Sequence, residues 1–203
     1  MIHHTAVIHH TAVIGKTSWI GPFCVIGPNV TIGEKNILTA HVVIGGLGQW
    51  RGRTSAGGVR IGDRNLFHER TSVHLAMDKG NFTVVENNCY IMAGAVVNHD
   101  CWVEQGVTVC GNVNLSGDVY VMNGANIGMN AAVHQKQVIG AFSMVGMGAI
   151  VTKKTMIEPG TVYAGNPARY MKKNAVGLER AGVTEEQLEA EKERFEAIHE
   201  SRR

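Results

Sequence analysis

Along most of this chain every sixth residue is aliphatic. The series runs Ile2, Ile8, Ile14, Ile20, Ile26, Ile32, Leu38 and Ile44, and resumes with Ile61, Phe67 and Val73. It resumes again at Val85 and continues through Ile91, Val97, Val103, Val109, Leu115, Val121, Ile127, Val133, Ile139 and Val145 to Val151. Four residues after these positions the side chain is usually short, as at Ala6, Ser18, Cys24, Cys89, Ala95, Cys101, Ala125 and Ala149. A helix repeats at about 3.6 residues and a strand at two, so a period of six fits neither. It predicts an all-β solenoid of short strands with a turn after each. The aliphatic and short residues point inward, and Gly or polar residues take the corners. Three strands close one triangular coil of 18 residues. Residues that far apart then stack at ~4.8 Å.

The period marks a solenoid over 1–155, with external loops at 45–60 and 75–84. The first loop, "GGLGQWRGRTSAGGVR", carries Trp50, Arg51, Arg53 and Arg60. It reads either as a solvated loop or as a flap over a cleft, its Arg residues facing phosphate and Trp50 lying over a base or sugar. The second, "LAMDKGNFTV", keeps the spacing but loses the pattern. A C-terminal extension, 156–203, is expected to hold one helix near 184–200. Thr184 and Gln187 form a capping-box pattern at its start, and Leu188, Phe195 and Ile198 make an apolar stripe along it.

Charge narrows the function classes. The formal net charge of +2 argues against a nucleic-acid partner, whose binding face needs a larger basic excess. The four cysteines contain no C-x-x-C pair and no long apolar run opens the chain. A cytoplasmic protein with no transmembrane segment is therefore expected. The doubled "IHHTAV" at the start places His3, His4, His9 and His10 at equivalent corners of consecutive faces, roughly 15–20 Å apart, too far to share a metal ion easily.

A filled solenoid puts its chemistry on the outside, so polar corner residues stacked on one edge are the candidates. His99 and Asp100 follow Val97, Gly117 comes one coil above His99, and His134 and Gln135 come one coil above that. His is suited to take a proton near neutral pH. A backbone N–H at Gly117 would meet an oxyanion with no side chain in the way. Asp100 would orient or charge-stabilise His99. Cys24, Cys89 and Cys101 fall at the inward position and read as buried thiols.

The stretches "IGPFCVIGPNVTIGEKNILTAHVVI", "IGDRNLFHERTSVH", "NHDC", "GMNAAVHQ", "GNPAR" and "GLERAGVTEEQL" resemble the UDP-N-acetylglucosamine O-acyltransferases that start lipid A synthesis. The resemblance implies a left-handed parallel β-helix and a homotrimer with active sites between subunits. It implies an acyl group delivered as an acyl carrier protein thioester, with no bound cofactor and no metal. His99 would be general base toward the 3-hydroxyl of a nucleotide sugar, Asp100 its support and Gly117 the oxyanion donor. Gln49, Asp118, His134, Gln135, Asn166 and Arg169 fall at positions of the substrate cleft, and Arg51 or Arg53 would substitute for the lysine usual in the family's flap. Met147 falls on the acyl groove, where it would fill volume that a long chain needs. The chain departs from the family pattern at Val96 and Asp118, where His is usual, and in its shorter helical tail. A coenzyme A-dependent sugar N- or O-acetyltransferase on the same scaffold is the alternative. A non-enzymatic assembly component and a metal-dependent hydrase are further readings.

Overall fold

The computed structural model describes residues 1–202. Two-residue strands wind into a three-sided prism. The first face holds eight strands, from Val7–Ile8 to Ile150–Val151, and the second seven, from Val13–Ile14 to Val138–Ile139. The third face runs from Trp19–Ile20 to Thr161–Ala164 and ends on the antiparallel strand Arg169–Lys173. All other pairings are parallel, and in the regular coils partners lie 18 residues apart, as in Val97↔Leu115 and Leu115↔Val133. The aliphatic series fills the interior: Ile20, Leu38, Ile44, Phe67, Val97, Leu115 and Val133 are at most 1% exposed. The middle coils turn their corners through residues with left-handed φ, spaced six apart: Asn88, Gly94, Asp100, Gly106, Asn112, Asp118. Short polar side chains and Gly tolerate that conformation, which explains the polar corners.

The two insertions are narrower than the sequence limits of 45–60 and 75–84. The first, residues 47–57, lies between the strands Val43–Gly46 and Gly58–Ile61; the second, residues 75–81, lies between Ser72–His74 and Phe82–Val85. Across the first loop partners are 29 residues apart (Ile32↔Ile61), 11 more than the regular 18. Across the second they are 24 apart (Val73↔Val97), 6 more than 18. An insertion of one whole hexad keeps the aliphatic period in phase, which is why the spacing there survives while the pattern fails.

Parallel pairing also continues past 155, through the bridge Ile139↔Ile157 and the pair Val145↔Tyr163. Two helices follow rather than one. Helix α1, Ala175–Ala181, is capped by the Asn174 side chain and closed by Gly182 in the left-handed region. Helix α2, Glu185–Ser201, starts at a formed capping box: Thr184 N–H donates to Gln187 Oε1 at 2.9 Å, and Gln187 N–H to Thr184 Oγ1 at 3.2 Å. Phe195, 1% exposed, seats α2 on the second face among Met122, Val138 and Ala141. Phe195→Ala is expected to lower stability by about 3–5 kcal/mol in urea unfolding. A loss under about 1 kcal/mol, within the range of ordinary surface substitutions, would show that this contact does not hold the helix. The opening histidines serve their corners: His3 Nδ1 and His9 Nδ1 lie 2.9 Å from the Thr5 and Thr11 hydroxyls.

Candidate active site

The corner between the strands Val96–Val97 and Trp102–Val103 joins the first face to the second. Asp100 makes the turn with φ of +61°, which brings its carboxylate back beside the preceding side chain. His99 Nδ1 lies 2.8 Å from Asp100 Oδ2. Sequence neighbours at a corner need not touch; the left-handed turn makes these two do so. A carboxylate can only accept, so Nδ1 carries the hydrogen and Nε2 presents its lone pair. The second loop holds the carboxylate in turn, for Met77 N–H donates to both oxygens at 3.3 Å. Thr83 Oγ1 accepts from the Asp100 N–H at 2.8 Å. Behind this pair, buried His74 meets Asn98 Oδ1 at 3.0 Å, and burial holds its pKa below the ordinary imidazole value.

One coil above, Gly117 lies directly over the imidazole. A Cβ placed there would stand 2.3 Å from His99 Cε1 and 2.4 Å from Nε2. Gly117 is buried, its carbonyl accepts from Lys136 N–H at 3.1 Å, and its own N–H has no acceptor among the described residues. Gly117 lines a cleft of about 300 Å³ together with His99, Asp100 and Gln135.

The first loop roofs the cleft. The Trp50 and His99 ring centroids are 5.5 Å apart, and the Arg53 guanidinium carbon is 4.9 Å from the Trp50 ring. Arg53 also pairs with Asp78 of the second loop at 2.5 Å, an exposed contact that contributes little stability. Gly48 allows the close approach, since a Cβ would stand 3.0 Å from His99 Cβ and 2.7 Å from Met77 Sδ. Trp50 and Arg53 thus both line the cleft.

The remaining candidates divide. Gln135 and Asp118 line the cleft. The Asp118 carboxylate is occupied by Arg202. His134 is exposed, with Nδ1 at 3.0 Å from the Gln135 carbonyl oxygen, and does not line it; Gln49 and Arg51 are exposed and stand outside it too. Met147, 70% exposed, stands on the corner between the third and first faces. Asn166 lies in the hairpin turn beside that same corner and Arg169 opens the strand after it; Ala168 N–H reaches the Ile150 carbonyl there. Within one chain the candidates therefore occupy two different edges of the prism. The supports missed in the sequence are Met77, Thr83, Asp78, Lys136 and the His74–Asn98 pair. The Met77 contribution is a backbone N–H, which leaves no side-chain signal to read.

Burial pushes the thiols of Cys89 and Cys101 up to about 12, which makes them inert at neutral pH. Among the described residues, no group of three or more His, Cys, Asp or Glu side chains is arranged to hold a metal ion. No helix of the described residues is long and apolar enough to cross a membrane.

Comparison with known proteins gives the constellation a context. A family model described as bacterial transferase hexapeptide (six repeats) matches residues 11–46. An acyl-[acyl-carrier-protein]–UDP-N-acetylglucosamine O-acyltransferase of Gloeothece citriformis is 36% identical over 149 residues, 73% of this chain and 53% of the relative. Its namesake in an Anaeromyxobacter species is 32% identical over 154 residues, 75% of this chain and 58% of the relative. The chain thus spans little more than half the length of these curated relatives. The solved UDP-N-acetylglucosamine acyltransferase of Francisella novicida superposes with a TM-score of 0.79 at 30% identity, covering 95% of this chain and 78% of that one. The Moraxella catarrhalis UDP-N-acetylglucosamine O-acyltransferase gives the same score at 27% identity, covering 95% and 82%. The three-sided coil is accordingly a left-handed parallel β-helix. With a solved relative matched over most of its length and curated relatives above the same identity, the chain belongs to the UDP-N-acetylglucosamine O-acyltransferase family.

Proposed function

We propose that this chain moves an acyl group from an acyl carrier protein thioester to the 3-hydroxyl of a UDP-N-acetylglucosamine-type nucleotide sugar, in the cytoplasm and as a homotrimer. One observation carries the reading: His99, paired with Asp100, shares a cleft with Gly117, whose N–H has no acceptor among the described residues. His99 Nε2 takes the hydroxyl proton as the sugar oxygen attacks the thioester carbonyl. Asp100 stabilises the imidazolium that forms, and the Gly117 N–H meets the tetrahedral oxyanion, worth about 3 kcal/mol for one such donor. Collapse breaks the carbon–sulfur bond, and the imidazolium returns the proton to the departing carrier thiol. No step needs a bound cofactor. Arg53 and Gln135, on the cleft wall, hold the nucleotide sugar beneath Trp50.

The division of the candidates between two edges supports a site completed by a neighbouring copy, as in the proposed trimer. Met147, Asn166 and Arg169 reach the cleft when a neighbouring copy brings its edge between the third and first faces against the His99 edge. Gln49, Arg51 and His134 then flank the same groove. Met147 fills volume in the acyl channel and favours a shorter or medium chain.

The test is turnover by the purified chain with carrier-protein thioesters of graded length and a panel of UDP-sugars, alongside light scattering. Acyl transfer to a UDP-amino sugar by a particle of three 21.9 kDa chains is expected. Preference for coenzyme A thioesters would overturn the donor, and absence of transfer from either would overturn the reaction.

A further inference from the structure

Asp118 follows Gly117 and turns the corner with φ of +63°. Its N–H donates to the His99 carbonyl oxygen at 2.9 Å. Its carbonyl and one of its carboxylate oxygens are engaged by one group at the far end of α2. Arg202 Nη2 donates to the Asp118 carbonyl oxygen at 2.6 Å and also to the carboxylate Oδ1. The Arg202 guanidinium carbon lies 5.4 Å from the Tyr120 ring, and its side chain is 22% exposed. The helix that delivers it is fixed to the second face at two further points. Phe195 is buried there, and Arg194 pairs with Glu104, a carboxylate only 7% exposed. Glu104 also accepts from the Tyr120 hydroxyl at 2.5 Å and from the Asn123 N–H at 2.8 Å. The reach of α2 therefore ends at the corner beside Gly117, on the coil directly above His99.

We propose that Arg202 is a positioning residue for the acyl transfer, holding the Gly117–Asp118 corner and neutralising the Asp118 carboxylate beside the point where the oxyanion forms. This inference rests on the acyltransfer reading. The oxyanion donor is a backbone N–H, so its aim depends on what fixes the adjoining peptide. Asp118 is tied on both sides, to His99 below through its N–H and to Arg202 through its carbonyl. An unpaired carboxylate one residue from the oxyanion would also repel the charge developing there, a repulsion that solvent screens only in part with the Asp118 side chain 39% exposed. Arg202 removes it without entering the cleft, whose wall does not include it.

The experiment compares Arg202→Ala, Arg202→Lys and the double variant Arg202→Ala/Asp118→Asn with the wild-type chain in the same carrier-protein assay. Arg202→Ala is expected to lower kcat about tenfold while KM for the nucleotide sugar stays within about twofold, the split that marks loss of an interaction made in the transition state. Arg202→Lys keeps the charge and is expected to return kcat to within about threefold of wild type. The double variant removes the carboxylate that needs neutralising and is expected to recover most of the loss. A purely structural latch would not be relieved by that second change, so equal impairment of all three variants overturns the inference. So does Arg202→Ala with wild-type kcat. A wild-type chain that is itself inactive removes the acyltransfer reading and this inference with it, whereas an active wild type with a fully active Arg202→Ala removes the inference alone.

Discussion

His99→Gln is expected to lower kcat for the proposed acyl transfer by about 10³-fold, the largest effect of any single change, because it deletes the proposed general base. Glutamine is the more informative replacement than alanine. It fills much of the imidazole volume beneath Trp50, and its amide can still donate to Asp100, so the Met77–Asp100 support survives. What it lacks is a group that accepts a proton near neutral pH. Steady-state kinetics with the carrier-protein donor would show the loss in kcat, and a melting curve within a few degrees of wild type would show that the fold is kept. Turnover by His99→Gln within about tenfold of wild type would remove His99 as the base, since general base catalysis contributes 10² or more.

Gly117→Ala is expected to cost about 10²-fold in kcat, through displacement of the base rather than its removal. Gly117 is not among the glycines with left-handed φ, so alanine meets no backbone strain at this position. The strained conformation falls on the next residue, Asp118, where a side chain is already accommodated. The glycine is needed for a different reason: a methyl group would stand 2.3 Å from His99 Cε1. The imidazole must swing away, either from Asp100 or from the cleft, and the N–H of residue 117 loses its relation to it. A crystal structure of the variant would show the ring displaced, and the kinetics would show the cost. Full activity with an undisplaced ring would mean that the stacking of Gly117 on His99 has no part in the reaction.

Much of this site was legible because a solenoid converts sequence distance into spatial distance. Positions 99, 117 and 135 differ by 18, and the observed register stacks them on one edge. The inward placement of Cys24, Cys89 and Cys101 and the capping box at Thr184 were legible for the same reason: each is set by a local repeat or a local hydrogen bond. Helix α1 was not, since its seven residues carry no apolar period long enough to read. Nor could the sequence show that the Asp118 carboxylate has a partner 84 residues away, Arg202.

The sequence by itself determined the coil, the inward aliphatic column and the edge that carries His99 and Gly117, because a period of six repeats the same local geometry at every turn. Only the tertiary structure decided what surrounds that edge. Trp50, Met77 and Arg202 reach it from two loops and a helix whose paths follow no period, and their contacts depend on where chain segments 23 to 84 residues apart come to rest against the prism.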